Sequence, residues 1–163
     1  MKVSYIVTIY NKALYLPFVV HGIVNQEGTF EREFVFVDDG STDGSMEVLN
    51  RLVQDIPDKV EIIQQENCGP SVASNRGLEV CTGDYIKFVD GDDVLLPWAT
   101  KILVNVMEEG KHAYAFSSNP VAMSYDNMSL DHLDSIVSKL RGCSDNMATS
   151  IWSNPLQHVI SRS

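Results

Sequence analysis

The run Asp90-Gly91-Asp92-Asp93 gathers three carboxylates into four positions, with a glycine that lets the backbone turn after the first. Like charges a few ångströms apart repel, so such a run is either fully solvated or shares a divalent cation. Hard cations such as Mg²⁺ or Mn²⁺ take oxygen ligands and sit between one or two carboxylates and the phosphates of a substrate. Two other stretches invite the same attention. Asp38-Asp39-Gly40-Ser41-Thr42-Asp43 is acidic, and Thr8-Ile9-Tyr10-Asn11 brings a hydroxyl, an aromatic ring and an amide close together in sequence. Taken singly, each has a plain structural explanation. Asp90 to Asp93 reads as a solvated turn, Asp38 to Ser41 as a strand-to-helix turn with a good N-cap, and Tyr10 as packing at a strand end.

What unites the three stretches is where they fall. Each comes after a short β-prone run: Val3 to Ile9, Glu33 to Val37, and Tyr85 to Val89. A further strand is predicted at Val60 to Ile63, and another at Ala113 to Phe116. Helical spacing appears between them. The first helix is predicted over Ala13 to Asn25, with Pro17 near its first turn. The second is capped by Asp43 or Thr42 and carries an apolar stripe of Met46, Leu49, Val53 and Ile56. The third is capped by Ser71 and runs to about Cys81; the fourth spans Pro97 to Glu109. Leu130 to Leu140 reads as helix, and Val159-Ile160-Ser161 as the start of a strand. Alternating strands and helices predict an α/β fold, a mostly parallel sheet with helices on both faces. In open sheets of this kind, ligands bind at the carboxyl ends of the strands. All three chemical stretches belong there.

Composition narrows the partners. The chain has 163 residues, one domain's worth, and a net charge of −10. That charge argues against nucleic acid or an anionic membrane surface as the main partner. The three cysteines, Cys68, Cys81 and Cys143, show no paired spacing, which favours free thiols over zinc or a disulfide framework. The histidines, His21, His112, His132 and His158, have no ligand spacing. Asn127-Met128-Ser129 matches a glycosylation sequon with nothing else to support secretion. No signal peptide or transmembrane segment is expected, which places the protein in the cytoplasm or at the inner face of the membrane.

Together these stretches resemble the family 2 glycosyltransferases of the GT-A fold, a Rossmann-like architecture. Ile6-Val7-Thr8-Ile9-Tyr10-Asn11 is similar to the family's opening strand and aromatic-Asn turn, and Val37-Asp38-Asp39-Gly40-Ser41-Thr42-Asp43 to its second signature. Asn67-Cys68-Gly69-Pro70-Ser71, Asn75-Arg76-Gly77-Leu78 and Thr82-Gly83-Asp84-Tyr85-Ile86 then lead into Asp90-Gly91-Asp92-Asp93 in the family's order. The resemblance implies a nucleoside-diphosphate sugar donor, UDP- or dTDP-linked, a carbohydrate or lipid-linked acceptor, and Mn²⁺ or Mg²⁺ as cofactor. It implies that Thr8, Tyr10 and Asn11 line the base pocket, Tyr10 by stacking. Asp38 would accept a hydrogen bond from the base imide, with Asp39 as a secondary candidate. Asp90 and Gly91 would approach the ribose and sugar, and Asp92, with Asp90, the metal.

Two departures qualify the match. Ser74 stands where the family usually has arginine, so a basic contact to the nucleotide would be lost or pass to Arg76. The family's catalytic base lies well beyond its Asp-x-Asp pair. Asp126, Asp131, Asp134 and Asp145 are the later acids, and none carries a motif for that role. The base is therefore expected beyond Ser163. The expectation is a nucleotide-binding core over residues 1–116 and the start of an acceptor-binding region over 117–163. A chain so divided would bind a nucleoside diphosphate with metal and transfer sugar poorly by itself. The competing reading is a non-catalytic nucleotide-sugar-binding module or inactive fragment. A receiver-like acidic pocket ranks last, because the third strand ends in Gln64-Gln65-Glu66.

Overall fold

The structure is a computed structural model and describes residues 1–110, 114–116, 128–143 and 158–161. Four parallel strands form a contiguous block of the sheet: β1 (Lys2–Ile9), β2 (Glu31–Asp38), β3 (Lys59–Gln64) and β4 (Tyr85–Asp90). β5 (Tyr114–Phe116) and β6 (His158–Ser161) complete the order β3-β2-β1-β4-β6-β5. β6 runs antiparallel to both β4 and β5. Parallel strands need crossovers, and the helices supply them: α1 (Leu16–Val24), α2 (Ser45–Leu52) and α3 (Pro70–Val80), with α4 (Ala99–Gly110) and α5 (Leu130–Cys143) beyond.

Period-two alternation along β1 and β2 explains the two cores. Val3, Tyr5, Val7 and Ile9 face one side with Phe34 and Phe36, against Leu16, Val19 and Ile23 of α1, Leu49 of α2 and Val104 of α4. Ile6, Val35, Val37 and Ile86 face the other, where Ala73 of α3 packs. Both faces of β1 are thus buried, as its uninterrupted apolar run requires. The expected mostly parallel sheet with helices on both faces is what the chain forms.

Several helix limits differ from expectation. α1 begins at Leu16 because residues 12–15 close a turn in which the Lys12 carbonyl accepts from Tyr15 and Leu16 N–H. The N-cap of α2 is Gly44 in the left-handed region (φ 86°), while Asp43 lies one residue earlier and accepts from Ser45. That helix stops at Leu52, so Ile56 packs on the core from the turn beyond it. Gly69 caps α3 and Ser71 lies inside it, since Pro70 fits the first helical position. Asp126, Asp145, His112 and the asparagine of the Asn127 sequon fall outside the described residues. Among the described side chains, Cys68 is exposed and Cys81 buried, neither in a disulfide. No helix of the described residues is long and apolar enough to cross a membrane.

A buried glutamine positions the segment after β4. Gln26 Nε2 donates to the Gly22 and Leu96 carbonyls at 2.9 and 2.8 Å, and its Oε1 accepts from Thr100 N–H at 3.0 Å. This ties the end of α1 to the chain beyond the acidic turn and to the start of α4.

Candidate functional site

Register alone brings the acidic stretches together. Thr8 pairs with Val37 on one side and Asp90 on the other, and Ile9 pairs with Asp38. The carboxyl ends of β1, β2 and β4 therefore lie side by side, and their loops rise from one rim of the sheet. Gly91 lets the acidic turn lie directly on β1: a Cβ there would stand 2.8 Å from the Thr8 carbonyl oxygen and 3.0 Å from Lys12 Cγ. The turn is closed by Asp93 N–H donating to the Asp90 carbonyl at 2.9 Å.

The side chains on this rim divide into two groups. Thr8 is half-buried, Tyr10 and Asp90 are exposed, and Asp92 is half-exposed, so all four are open to solvent rather than packed in the core. Asp38 is 3% exposed and its Oδ1 accepts from Ser41 N–H at 3.3 Å. The remaining residues brace the loops. Asn11, in the left-handed region at φ 54°, accepts from Thr42 N–H at 2.8 Å through its amide oxygen, and its own N–H donates to Ser41 Oγ at 2.9 Å. Asp39 turns inward. Its carboxylate accepts from Cys68 N–H and Gly69 N–H at 2.8 Å each and from Gln65 Nε2 at 2.7 Å. Burial would raise this carboxyl, but those donors outweigh it and hold it below the usual range. Asp39 thereby pins the loop that opens α3. Arg76 is not drawn to the rim: it lies on the exposed face of α3 with its guanidinium on Glu79 at 2.6 Å.

Lys12 is a member of the site that sequence reasoning passed over. Its ammonium forms an ion pair with Asp92 and lies 5.5 Å from the centre of the Tyr15 ring. The signal was available in Tyr10-Asn11-Lys12, a basic residue in an otherwise uncharged turn. The Asp93 carboxyl is raised by burial and by the charges of Asp90 and Asp92, with Lys87 and Lys12 opposing. Among the described residues no group of three or more His, Cys, Asp or Glu side chains has metal-binding geometry. A cation at this rim would have one or two protein carboxylates and would need ligand phosphates to complete its shell. The Asp92 carboxylate fits that requirement. It is accessible, it is oxygen-only, and it already holds a positive group in the Lys12 ammonium. A separate cavity of about 180 Å³ lies between α1, the segment after the acidic turn and α5, lined by His21, Leu95, Pro97 and Asp134 among others. It is not part of the rim.

Residues 4–143 match the family model described as glycosyl transferase family 2. The chain belongs to that family. An uncharacterised glycosyltransferase of Nostoc sp. is 39% identical over 108 residues, covering 66% of this chain and 33% of that protein. The chain spans about a third or less of the length of the curated relatives it matches first, which it covers to 33, 31 and 13%. Among solved structures, residues 1–349 of TarS from S. aureus align with a TM-score of 0.64 at 26% identity, over 76% of this chain and 39% of that one. TarS has been solved with UDP and with UDP-GlcNAc. The mannosyltransferase PcManGT of Pyrobaculum calidifontis, in complex with GDP-Man and Mn²⁺, aligns at a TM-score of 0.53 and 29% identity, over 56% of this chain and 28% of that one. The fold of this family 2 chain is thus GT-A, a mixed α/β architecture with a parallel centre.

Proposed function

We propose that this family 2 domain binds a UDP-sugar with Mn²⁺ or Mg²⁺ and takes part in sugar transfer to a carbohydrate or lipid-linked hydroxyl. The observation that carries the reading is the meeting of Thr8, Asp38 and Asp90 on adjacent strands, with Asp92 accessible beside them. The bound UDP and UDP-GlcNAc of TarS support a uridine donor, and the Mn²⁺ of PcManGT supports the cation. Under this reading Tyr10 offers a ring face to the base. Asp38, held at the end of β2, accepts the imide N–H that uracil presents. Asp90 takes a ribose or sugar hydroxyl, and Asp92, with Asp90, holds the cation in place of Lys12. When bound, the cation neutralises charge that develops on the departing diphosphate. Asn11 and Asp39 act at one remove, by fixing the loops that carry Tyr10, Asp38 and the start of α3.

Transfer is read as a single in-line displacement with inversion. The acceptor oxygen attacks the anomeric carbon, the bond to the diphosphate breaks, and a carboxylate takes the acceptor proton. Residues 1–116 form the nucleotide-binding core in this reading and 117–163 begin the acceptor region; no described residue is assigned as base. The donor assignment is tested by titrating the protein with UDP, dTDP, GDP and ADP in Mn²⁺. Tightest binding to UDP or dTDP is expected, with Asp38→Ala losing roughly tenfold or more, about one charged hydrogen bond. Equal affinity for all four, or an Asp38→Ala variant that binds UDP as the parent does, would remove the uridine reading.

A further inference from the structure

β4 carries a lysine where its neighbours are apolar. Lys87 is 0% exposed, and alternation places it with Tyr85 and Val89 on the side of the sheet that α1 and α4 cover. Lysines in such places usually snorkel to the surface or pair with a carboxylate. Lys87 does neither: its Nζ is buried without a hydrogen-bond partner among the described residues. The charges that reach it belong to Asp93 and Asp90, at the end of its own strand. Burial outweighs both and brings the ammonium down to about 7.

Among the described residues, the other elements around it supply no counter-charge; on β6 its register partner is Val159. On β1 its register partner is Tyr5, whose hydroxyl is pushed up to about 12 by burial and stays neutral. That hydroxyl faces Thr100 of α4 with geometry short of a hydrogen bond, so among the described residues both oxygens remain unpaired. The charged residues of α4, Lys101, Glu108 and Glu109, are exposed, and His21 of α1 is engaged with Asp134. On the rim above, Lys12 pairs with Asp92. The acidic turn therefore lies between a surface lysine and a buried one.

We propose that Lys87 is a positioning residue that governs the acidic turn from beneath, weakening its hold on a divalent cation when charged and releasing that restraint when neutral. The proposal rests on the donor-site reading above. An ammonium and a cation drawn to the same carboxylates disfavour each other, and the effect is reciprocal. Cation binding then drives a proton from Lys87 to solvent, and a rise in pH favours the cation.

The test is calorimetry of UDP with Mn²⁺ at pH 6 and pH 8 on the parent chain, Lys87→Met and Lys87→Arg. One linked proton limits the gain to about tenfold per pH unit below the lysine's midpoint. The parent is expected to gain up to roughly tenfold more than Lys87→Met between the two pH values. Lys87→Met, neutral at both, should keep the parent's tighter affinity throughout, and Lys87→Arg, charged at both, the weaker one. A merely structural lysine would not move the two variants in opposite directions. Identical pH dependence in parent and Lys87→Met overturns the proposal while leaving the donor site standing. Absence of binding by the parent at either pH overturns both. Should neither variant fold, protons released by the parent at pH 7 decide the matter, measured in buffers of different ionisation enthalpy. Release beyond that of UDP and Mn²⁺ alone supports the proposal, and none beyond it overturns it.

Discussion

Replacing Glu33 by glutamine removes a charge at the opposite end of the sheet from the proposed donor site. The Glu33 side chain is 0% exposed. Its carboxylate accepts from Ser4 Oγ at 2.6 Å, Thr82 N–H at 2.7 Å and Lys59 Nζ at 2.7 Å, with Lys2 at 3.5 Å. It thus fastens β1, β2, β3 and the approach to β4 through one group. Burial pushes this carboxyl up, but the donors prevail and bring it from 4.5 to about 2. At about 1.4 kcal/mol per pH unit, the difference amounts to roughly 3 kcal/mol of stability. The folded state holds the carboxylate more strongly than the unfolded chain does. The contribution is therefore complete above the unfolded value of 4.5 and is lost as pH falls through about 2. Urea unfolding of the parent and Glu33→Gln at pH 7 should differ by about 3 kcal/mol, and by roughly half that or less at pH 3. Folded Glu33→Gln should bind UDP as the parent does. A gap below about 1 kcal/mol at pH 7, or one that does not shrink with acid, would refute the reasoning.

Asp39→Asn should lower stability by about 3 kcal/mol, because an amide cannot accept all three donors that meet the buried carboxylate; thermal unfolding reads it. Gly83→Ala should cost about 2 kcal/mol or more, since the new Cβ would stand 2.7 Å from Ser4 N and 2.9 Å from the Tyr85 carbonyl oxygen, both rigid backbone. The same unfolding assay checks it. α5 is held to the body by His21 on Asp134 at 3.0 Å and by Arg141, which pairs with Glu27 and stacks on Trp98. Asp134→Ala with Arg141→Ala should speed amide exchange in residues 130–143 and leave β1 to β4 unchanged.

The fold was legible because its strands are unambiguous. Val3 to Ile9 and Glu33 to Val37 are β-branched or aromatic runs too short for helix, and each ends in polar turn residues. Helix starts were less legible. Asp43 and Ser71 are good caps by type, yet glycines at 44 and 69 took the cap positions, and Pro70 fixed the start of α3. The rim was found because its acids cluster at strand ends. What the pattern could not reveal was direction. Asp38 and Asp39 are neighbours of the same type, but Asp38 ends β2 and Asp39 opens the loop beyond it, where its carboxylate is spent on Cys68, Gly69 and Gln65. Arg76 likewise reads as a nucleotide contact in sequence and as a partner of Glu79 on the helix surface. Lys12 and Glu33 were missed because each acts through residues distant in sequence, Asp92 for Lys12 and Thr82 for Glu33, and Lys87 because only the folded sheet shows that its ammonium is buried.

The central claim is that the rim of β1, β2 and β4 is a cation-dependent nucleotide site, and calorimetric titration with UDP tests it most directly. The titration is run with Mn²⁺, with chelator, and on Asp92→Ala, whose half-exposed side chain lies outside the two cores. The account predicts binding that needs Mn²⁺ and that Asp92→Ala weakens by tenfold or more. Binding of equal strength in chelator, or unchanged by Asp92→Ala, would contradict it.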